Sequence, residues 1–256
     1  MDPQVYKLHR ENEKEHWWYK GRREIISAVI NKFVYREKKL KILDFGAGSG
    51  THIITLSNYG DVYVYEKDKN ALNYLKKKFA NNTNIFLLDE IKEDFFFDLV
   101  IASDVIEHIK NDDEILKFLS KILKPEGYIL ITVPAYNFLY NERDKFLGHF
   151  RRYNKKMLKN RVEKYFNTIK SSYYNFFLFF LSLILFVFLK WFKIKSFITS
   201  PENTPNFLVN NFFYKTFAFE KFFLKYLNFP FGASIIYLAK KNRRAVRSII
   251  LWSSTN

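Results

Sequence analysis

The feature that most constrains this chain is the stretch Leu40-Lys41-Ile42-Leu43-Asp44-Phe45-Gly46-Ala47-Gly48-Ser49-Gly50. A short apolar run reaches an acid and then three glycines at alternate positions. The run predicts a buried parallel strand, and the glycines predict a tight turn into a helix over about 51–58. Glycine lets a backbone bend this sharply and also lie against a bound ligand. The helix behind the turn directs its N–H-rich, partly positive end at that ligand. A dinucleotide fingerprint would read G-x-G-x-x-G. Here the third glycine comes one position early, and Thr51 follows. Asp44, placed just before the turn, would repel a pyrophosphate and suits a ligand carrying an ammonium group. A plain turn with no ligand is the alternative.

Around this turn, residues 37–140 show the strand–helix rhythm of a parallel sheet. Strand two covers 61–65 and ends at Glu66, 20 residues after Gly46. An acid at that strand tip can accept both hydroxyls of a ribose, because neighbouring tips share one crevice. A helix follows over 71–79, then a third strand over 84–88 that ends in Asp89-Glu90. Asp89 could accept from an adenine amino group or cap a helix. Strand four, 97–102, runs into Ser103-Asp104-Val105-Ile106-Glu107-His108. The next helix opens on Asn111-Asp112-Asp113-Glu114 and is expected to stop at Lys124-Pro125-Glu126-Gly127. Strand five is 128–133, a helix covers about 155–165, strand six is 168–171 and a last strand is 234–239.

Taken in order, Asp44-Phe45-Gly46-Ala47-Gly48-Ser49-Gly50, Glu66, Asp89, Phe97-Asp98-Leu99-Val100 and Leu123-Lys124-Pro125-Glu126-Gly127-Tyr128 resemble the class I S-adenosylmethionine-dependent methyltransferases. The resemblance covers about 40–171 and, more weakly, 231–240. It implies a seven-stranded, mostly parallel, Rossmann-like sheet and S-adenosyl-L-methionine as cofactor. Asp44, Gly46, Ala47, Gly48 and Gly50 would line the methionine portion. Glu66 would take the ribose, with Lys67 alongside, and Asp89 and Glu90 would flank the adenine. Ser103 would face the sulfonium and the acceptor. Strand two of the family usually ends in Asp, and Glu66 is one methylene longer. His16-Trp17-Trp18-Tyr19 with Arg22-Arg23, Val133-Pro134-Ala135-Tyr136, His149-Phe150-Arg151-Arg152-Tyr153 and Phe229-Pro230-Phe231-Gly232 carry a closer likeness. They resemble a group of bacterial methyltransferases that sit beside glycan and cell-envelope enzymes and carry an apolar C-terminal segment.

Outside that core, residues 1–36 read as a charged helical lid, with Arg22-Arg23 placed to meet an anion, or as helices packed on the core. The stretch from 176 to 189 is apolar at every position but Ser182. It is short for a membrane span, which needs about 20 residues. With flanks Tyr173, Tyr174, Lys190, Trp191, Lys193 and Lys195, the segment 173–192 could cross a bilayer or enter one leaflet. A second Phe-rich stretch, 207–229, reads as an amphipathic helix. Residues 173–230 are therefore expected to form a membrane-associating hairpin inserted before the last strand, and 241–256 a basic tail. The chain carries +16 overall, and residues 171–256 hold 11 Lys and Arg against two acids, Glu202 and Glu220. One-sided positive charge beside Phe suits an anionic membrane surface, on the cytoplasmic face. The N-terminal residues lack the plan of a signal peptide. With no Cys there is no disulfide frame and no thiolate zinc site. Nothing in the sequence sets an oligomeric state.

A methyl acceptor oxygen must lose its proton, and imidazole titrates in the range a base needs. His108 and His149 are the candidate catalytic bases. Asp104, Glu107 and His108 also share one face of a helical turn and, with His149, could ligate a divalent ion, as in some quinone and RNA-end methyltransferases. No residue is assigned to a metal. The expected function is O-methylation of a lipid or lipid-linked glycan at a membrane. The alternatives are an RNA methyltransferase and a metal-dependent, quinone-type O-methyltransferase. A nucleic-acid partner is disfavoured, because basic and aromatic residues do not interleave on a polar surface; the Phe residues form a nearly unbroken apolar block.

Overall fold

The computed structural model describes residues 3–93, 96–191 and 204–242. Lys193, Lys195 and the tail from Arg243 lie outside the described residues. Two helices, α1 (Pro3–Asn12) and α2 (Trp17–Phe33), precede the first strand. Then come β1 (Leu40–Phe45), α3 (Ile53–Ser57), β2 (Gly60–Tyr65), α4 (Lys69–Lys78), β3 (Ile85–Leu88) and β4 (Phe97–Ser103). The chain continues through α5 (Asp112–Lys121), β5 (Leu123–Pro134), α6 (Glu142–Leu147), α7 (Lys155–Val162) and β6 (Phe166–Tyr174). It closes with α8 (Phe176–Trp191), α9 (Phe207–Leu224) and β7 (Ser234–Lys241).

The strands form one seven-stranded sheet in the order β3-β2-β1-β4-β5-β7-β6. β7 runs antiparallel to both of its neighbours, and the remaining pairings are parallel. Central strands covered on both faces need apolar residues at nearly every position. β1 and β4 meet that demand: Ile42, Leu43, Leu99, Val100, Ile101 and Ala102 are fully buried. The helices start where the sequence offers caps. Asp68 accepts from the N–H groups of Asn70 and Ala71, both at 2.9 Å, and Asn111 caps α5 ahead of three acids.

Four expectations about elements are corrected. The helix after the glycine turn is shorter than expected, five residues rather than 51–58. The helix α5 ends at Lys121, and Lys124-Pro125-Glu126-Gly127 is a bulge inside β5 rather than a helix stop. Asp98 lies between the register pairs Phe97–Leu123 and Leu99–Tyr128, so the four residues 124–127 loop out opposite it. Lys124 donates to both oxygens of Asp98 at 2.8 Å, and Glu126 turns the chain with φ +67°. The strand β6 is longer than 168–171 and takes in Tyr173 and Tyr174, so these residues do not flank a membrane helix. Tyr174 is fully buried, stacked on Trp18 at 6.3 Å and on Phe217 at 5.9 Å. Lastly, among the described residues no helix is long and apolar enough to cross a membrane; α8 has 16 residues.

The N-terminal helices and the C-terminal hairpin share one layer. α2 buries Ile25, Ile26, Val29 and Ile30 against the sheet. Its other side receives α9: Phe217 stacks on Trp18 at 5.2 Å, and Asn210 Oδ1 accepts from the Trp17 N–H at 2.8 Å. A methyl group on Gly21 would lie 2.3 Å from the Phe217 ring, so only glycine admits that ring. Lys221 of α9 adds an ion pair to Glu24 at 2.7 Å.

Candidate active site

The C-terminal ends of β1, β2, β4 and β5 open on a cavity of about 1070 Å³, the crevice in which parallel sheets hold their ligands. At one end lies the glycine turn. Gly46 and Gly48 take φ +73° and +59°. A Cβ on Gly46 would meet Val105 at 2.8 Å, whereas one on Gly48 would meet nothing within 4 Å, because Gly48 borders the open crevice. Asp44 is buried beneath the turn, and its Oδ2 has no hydrogen-bond partner. Burial, reinforced by the charge of Glu66, pushes its carboxyl up to about 7 despite the opposing pull of Arg22.

Glu66 faces the same turn. Its Oε2 accepts from the Gly48 N–H at 2.8 Å, and its Oε1 accepts from the Asp68 N–H at 2.9 Å and the Tyr6 hydroxyl at 3.2 Å. The extra methylene of Glu over Asp lets the carboxylate reach back to the turn. An orphaned acid for an ammonium, an open glycine for close backbone approach and a carboxylate at the second strand tip fit S-adenosylmethionine. Ala47, Lys67 and Ser103 line the same cavity. Gly50 does not; a Cβ there would press on Leu75, Ile53 and Phe79, so this glycine serves helix packing. Asp89 and Glu90 are exposed and lie outside the cavity lining, and Asp89 pairs with Lys76 at 2.7 Å.

The opposite end gathers the two candidate bases. The rings of His108 and His149 meet edge to face, 4.6 Å between centroids. His149 Nδ1 faces Asp144 Oδ1 at 2.8 Å, and Arg152 donates to both oxygens of Asp144 at 2.8 Å. Burial would push the Asp144 carboxyl up, but the hydrogen bonds from Arg152 and His149 outweigh it and hold it below the usual carboxylate range. An ionised Asp144 fixes the proton of His149 on Nδ1 and leaves Nε2 as the acceptor. His108 Nδ1 lies 3.3 Å from the Gly148 carbonyl, and burial, with the nearby His149, brings its pKa down to about 4. Glu107 is wholly buried, neither of its oxygens has a partner, and burial next to Asp104 raises its pKa well above the usual value.

Glu107, His108 and His149 can each offer an atom such that all three lie within 4.8 Å of one another. Both imidazoles direct Nδ1 to an oxygen, the orientation metal-ligating histidines need. These residues therefore fit a divalent cation. Asp104, a possible fourth ligand on the sequence, turns away: it takes φ +54°, pairs with the buried Arg22, and accepts from Thr132 Oγ1 at 3.0 Å. Arg22 thus meets an acid of the protein itself. Ser103 Oγ completes this chain at 2.9 Å from Thr132.

Three participants were missed in the sequence: Tyr6 against Glu66, Asn175 in the cavity wall, and Asp144 behind His149. Only Asp144 had a findable pattern. Asn141 and Asp144 make a capping box at the start of α6, which places the acid five residues before the histidine.

Sheet order, glycine turn and strand-tip carboxylate together define a class I S-adenosylmethionine-dependent methyltransferase domain. A family model described as a methyltransferase domain matches residues 17–174. The chain belongs to that family. Among curated relatives it is similar to a ubiquinone biosynthesis O-methyltransferase of Rickettsia akari (strain Hartford), 30% identical over 124 residues, covering 43% of this chain and 45% of that protein. A mitochondrial counterpart from Dictyostelium discoideum is 33% identical over 114 residues, 44% of this chain and 34% of that protein. The chain thus spans less than half the length of these relatives. In fold it resembles a SAM-dependent methyltransferase from Archaeoglobus fulgidus, TM-score 0.52 at 18% identity over 86% of this chain and 94% of that one. It also resembles the N-methyltransferase NodS from Bradyrhizobium japonicum in complex with S-adenosyl-L-homocysteine, TM-score 0.51 at 8% identity over 86% and 84%.

Proposed function

We propose that this methyltransferase transfers a methyl group to a hydroxyl of a lipid or lipid-linked glycan at an anionic membrane surface, on its cytoplasmic face. The carrying observation is an exposed apolar face on the two helices that follow β6. On α9, Leu208, Phe212, Phe219 and Phe222 are exposed at spacings of four, seven and three residues, which keep them on one side of a helix, and Tyr226 continues the row just past it. Lys215 lies on the same row, and the acid of this helix, Glu220, is buried. On α8, Phe180 and Ile184 are more than half exposed. Tyr136, two residues past the cavity-lining Pro134, extends this surface, its ring 5.9 Å from Phe179 and 5.3 Å from Phe138, which is 78% exposed. A face of this kind lies in an interface rather than across a bilayer. Relatedness to the cell-envelope methyltransferases belongs to the same proposal.

When bound, S-adenosylmethionine supplies a methyl group activated on a sulfonium. Asp44 and the glycine turn hold the amino-acid end, and Glu66 holds the ribose. His149 Nε2, left as the acceptor by the contact of Nδ1 with Asp144, takes the proton of the acceptor hydroxyl. The helix α1 covers the crevice and excludes water. The test pairs two measurements. Flotation with phosphatidylglycerol vesicles, against phosphatidylcholine alone, is expected to carry the protein with the anionic lipid only. Methyl transfer to an envelope lipid extract is expected to add one methyl to one lipid species. Absence of partitioning removes the membrane claim, and absence of a methylated lipid removes the acceptor.

A second reading has its own support. The cluster of Glu107, His108 and His149, with the names of the curated relatives, favours metal-assisted O-methylation of a phenolic quinone precursor. In that case manganese(II) raises the melting temperature of the wild type and leaves Glu107→Gln unchanged. An equal response of both proteins rejects it.

A further inference from the structure

We propose that Asn175 recognises the acceptor: its side-chain carbonyl accepts a hydrogen bond from a hydroxyl beside the one to be methylated, so that the site selects vicinal diols. This rests on reading the cavity as the acceptor site of a methyltransferase.

Asn175 follows β6 and precedes α8. The register pairs Pro134 of β5 with Ser234 of β7, and Ser234 with Tyr174 of β6. The residue after β6 therefore stands at the sheet edge where β5 ends, the edge that carries the glycine turn. Asn175 lines the cavity, is 6% exposed, and its Oδ1 has no hydrogen-bond partner. Its backbone holds φ +55°, a region an L-residue enters only at a cost. A buried carbonyl left unpaired adds a second cost. Both penalties fall on one side chain in the wall of one cavity.

The main chain on either side is pinned, which fixes where the side chain starts. Glu220 of α9 accepts from the N–H groups of Phe176 at 2.7 Å and Phe177 at 3.1 Å. The Asn175 carbonyl accepts from Ala233 at 3.4 Å and Phe179 at 3.3 Å. Gly232 lies so close to Tyr174 that a Cβ would sit 2.5 Å from the Tyr174 carbonyl oxygen. An uncharged amide oxygen suits a neutral hydroxyl donor at any physiological pH. A site built to pair with such a donor rejects the analogue that lacks it more strongly than an apolar pocket does.

The test uses the full chain loaded with S-adenosyl-L-homocysteine and two probe pairs, each differing by one hydroxyl: dodecylcatechol against dodecylphenol, and dodecyl glucoside against its monodeoxy analogue. Calorimetry is expected to give about a tenfold or greater preference for the diol in at least one pair. In Asn175→Leu that preference falls to about one, while the affinity for S-adenosyl-L-homocysteine stays unchanged. No preference in the wild type for either pair overturns the proposal, and so does a preference that survives in Asn175→Leu. A matching loss of cofactor-product affinity overturns it too. A second variant guards against misfolding. Asn175→Gly relieves the strained backbone and removes the orphaned carbonyl, so it melts at the same temperature or higher. A clearly lower melting temperature makes the amide a part of the fold and overturns the assignment. If the binding preference stands but neither diol is methylated, the role of Asn175 holds and the proposed function fails instead.

Discussion

Asp44 and Glu66 sit on facing sides of the glycine turn, yet they answer to different physics. Asp44 is buried without a partner, so near neutrality its carboxyl is only partly ionised. A cationic ammonium binds the ionised form. Cofactor affinity is therefore expected to weaken as pH falls from 8 to 6, by up to about tenfold per unit below the Asp44 pKa. Calorimetry across that range checks this, and Asp44→Asn should bind weakly with little pH dependence. Glu66→Ala deletes the carboxylate proposed to hold the ribose, and its cofactor affinity is expected to fall by at least about tenfold, given the strength of hydrogen bonds to a charged group. At the other end of the crevice, His149→Ala is expected to lower kcat by roughly a hundredfold or more. Cofactor affinity stays the same there, because His149 touches none of the residues around the turn. Asp144→Asn should lower kcat as well, since a neutral amide no longer holds the proton on Nδ1. Single-turnover rates at saturating cofactor separate these effects from binding.

Elements show why some of this was legible in sequence and some was not. β1 to β4 could be read because buried strands need apolar runs and the turns between them need glycine and acids. The placement of Gly46, Gly48 and Glu66 around one crevice followed from the same logic. The bulge at Lys124-Pro125-Glu126-Gly127 was not legible. Proline and glycine signal a stop equally in a helix and in a strand, and only the Lys124–Asp98 pair across the sheet decides between them. Tyr173 and Tyr174 read as interfacial aromatics because nothing local says that Trp18 and Phe217 will stack on one of them. Asp89 was drawn toward the adenine by its place after β3, but the nearer charge is Lys76 on α4. The hairpin's grip on α2 is a contact of residues almost 200 positions apart, and Gly21 carries it. Gly21→Ala gains about 1 kcal/mol of helix propensity. Against this stands overpacking of roughly 1–3 kcal/mol, since the Phe217 ring lies between Trp18 and Tyr174 with little room to turn. The balance is destabilising, and a melting temperature lower by a few degrees is expected in calorimetry.

On the scale of the whole molecule, three buried carboxyls act in the same direction. Asp44 and Glu220 are each pushed up to about 7, and Glu107 well above its usual value, in every case chiefly by burial. In the unfolded chain they ionise near pH 4. The folded state therefore binds more protons between pH 4 and 7, and stability falls as pH rises through that window. The cost is on the order of 4 kcal/mol for each of Asp44 and Glu220 once pH exceeds 7. The free protein is expected to melt several degrees lower at pH 8 than at pH 5. The double variant Asp44→Asn with Glu220→Gln should flatten that profile, which scanning calorimetry reads directly.

The slot between β5 and β6 is filled by β7, which follows both of them in the chain and is the last strand among the described residues. Until Ser234–Lys241 arrives, each of those neighbours presents an open ladder of amide and carbonyl groups to whatever chain is nearby. Until then the growing polypeptide has a gap in its own β-surface, a state prone to intermolecular strand pairing. A product cut short before residue 234 is expected to pellet as aggregate after cell lysis, where the longer chain does not. Closure of this sheet therefore waits on a strand made long after both of its neighbours.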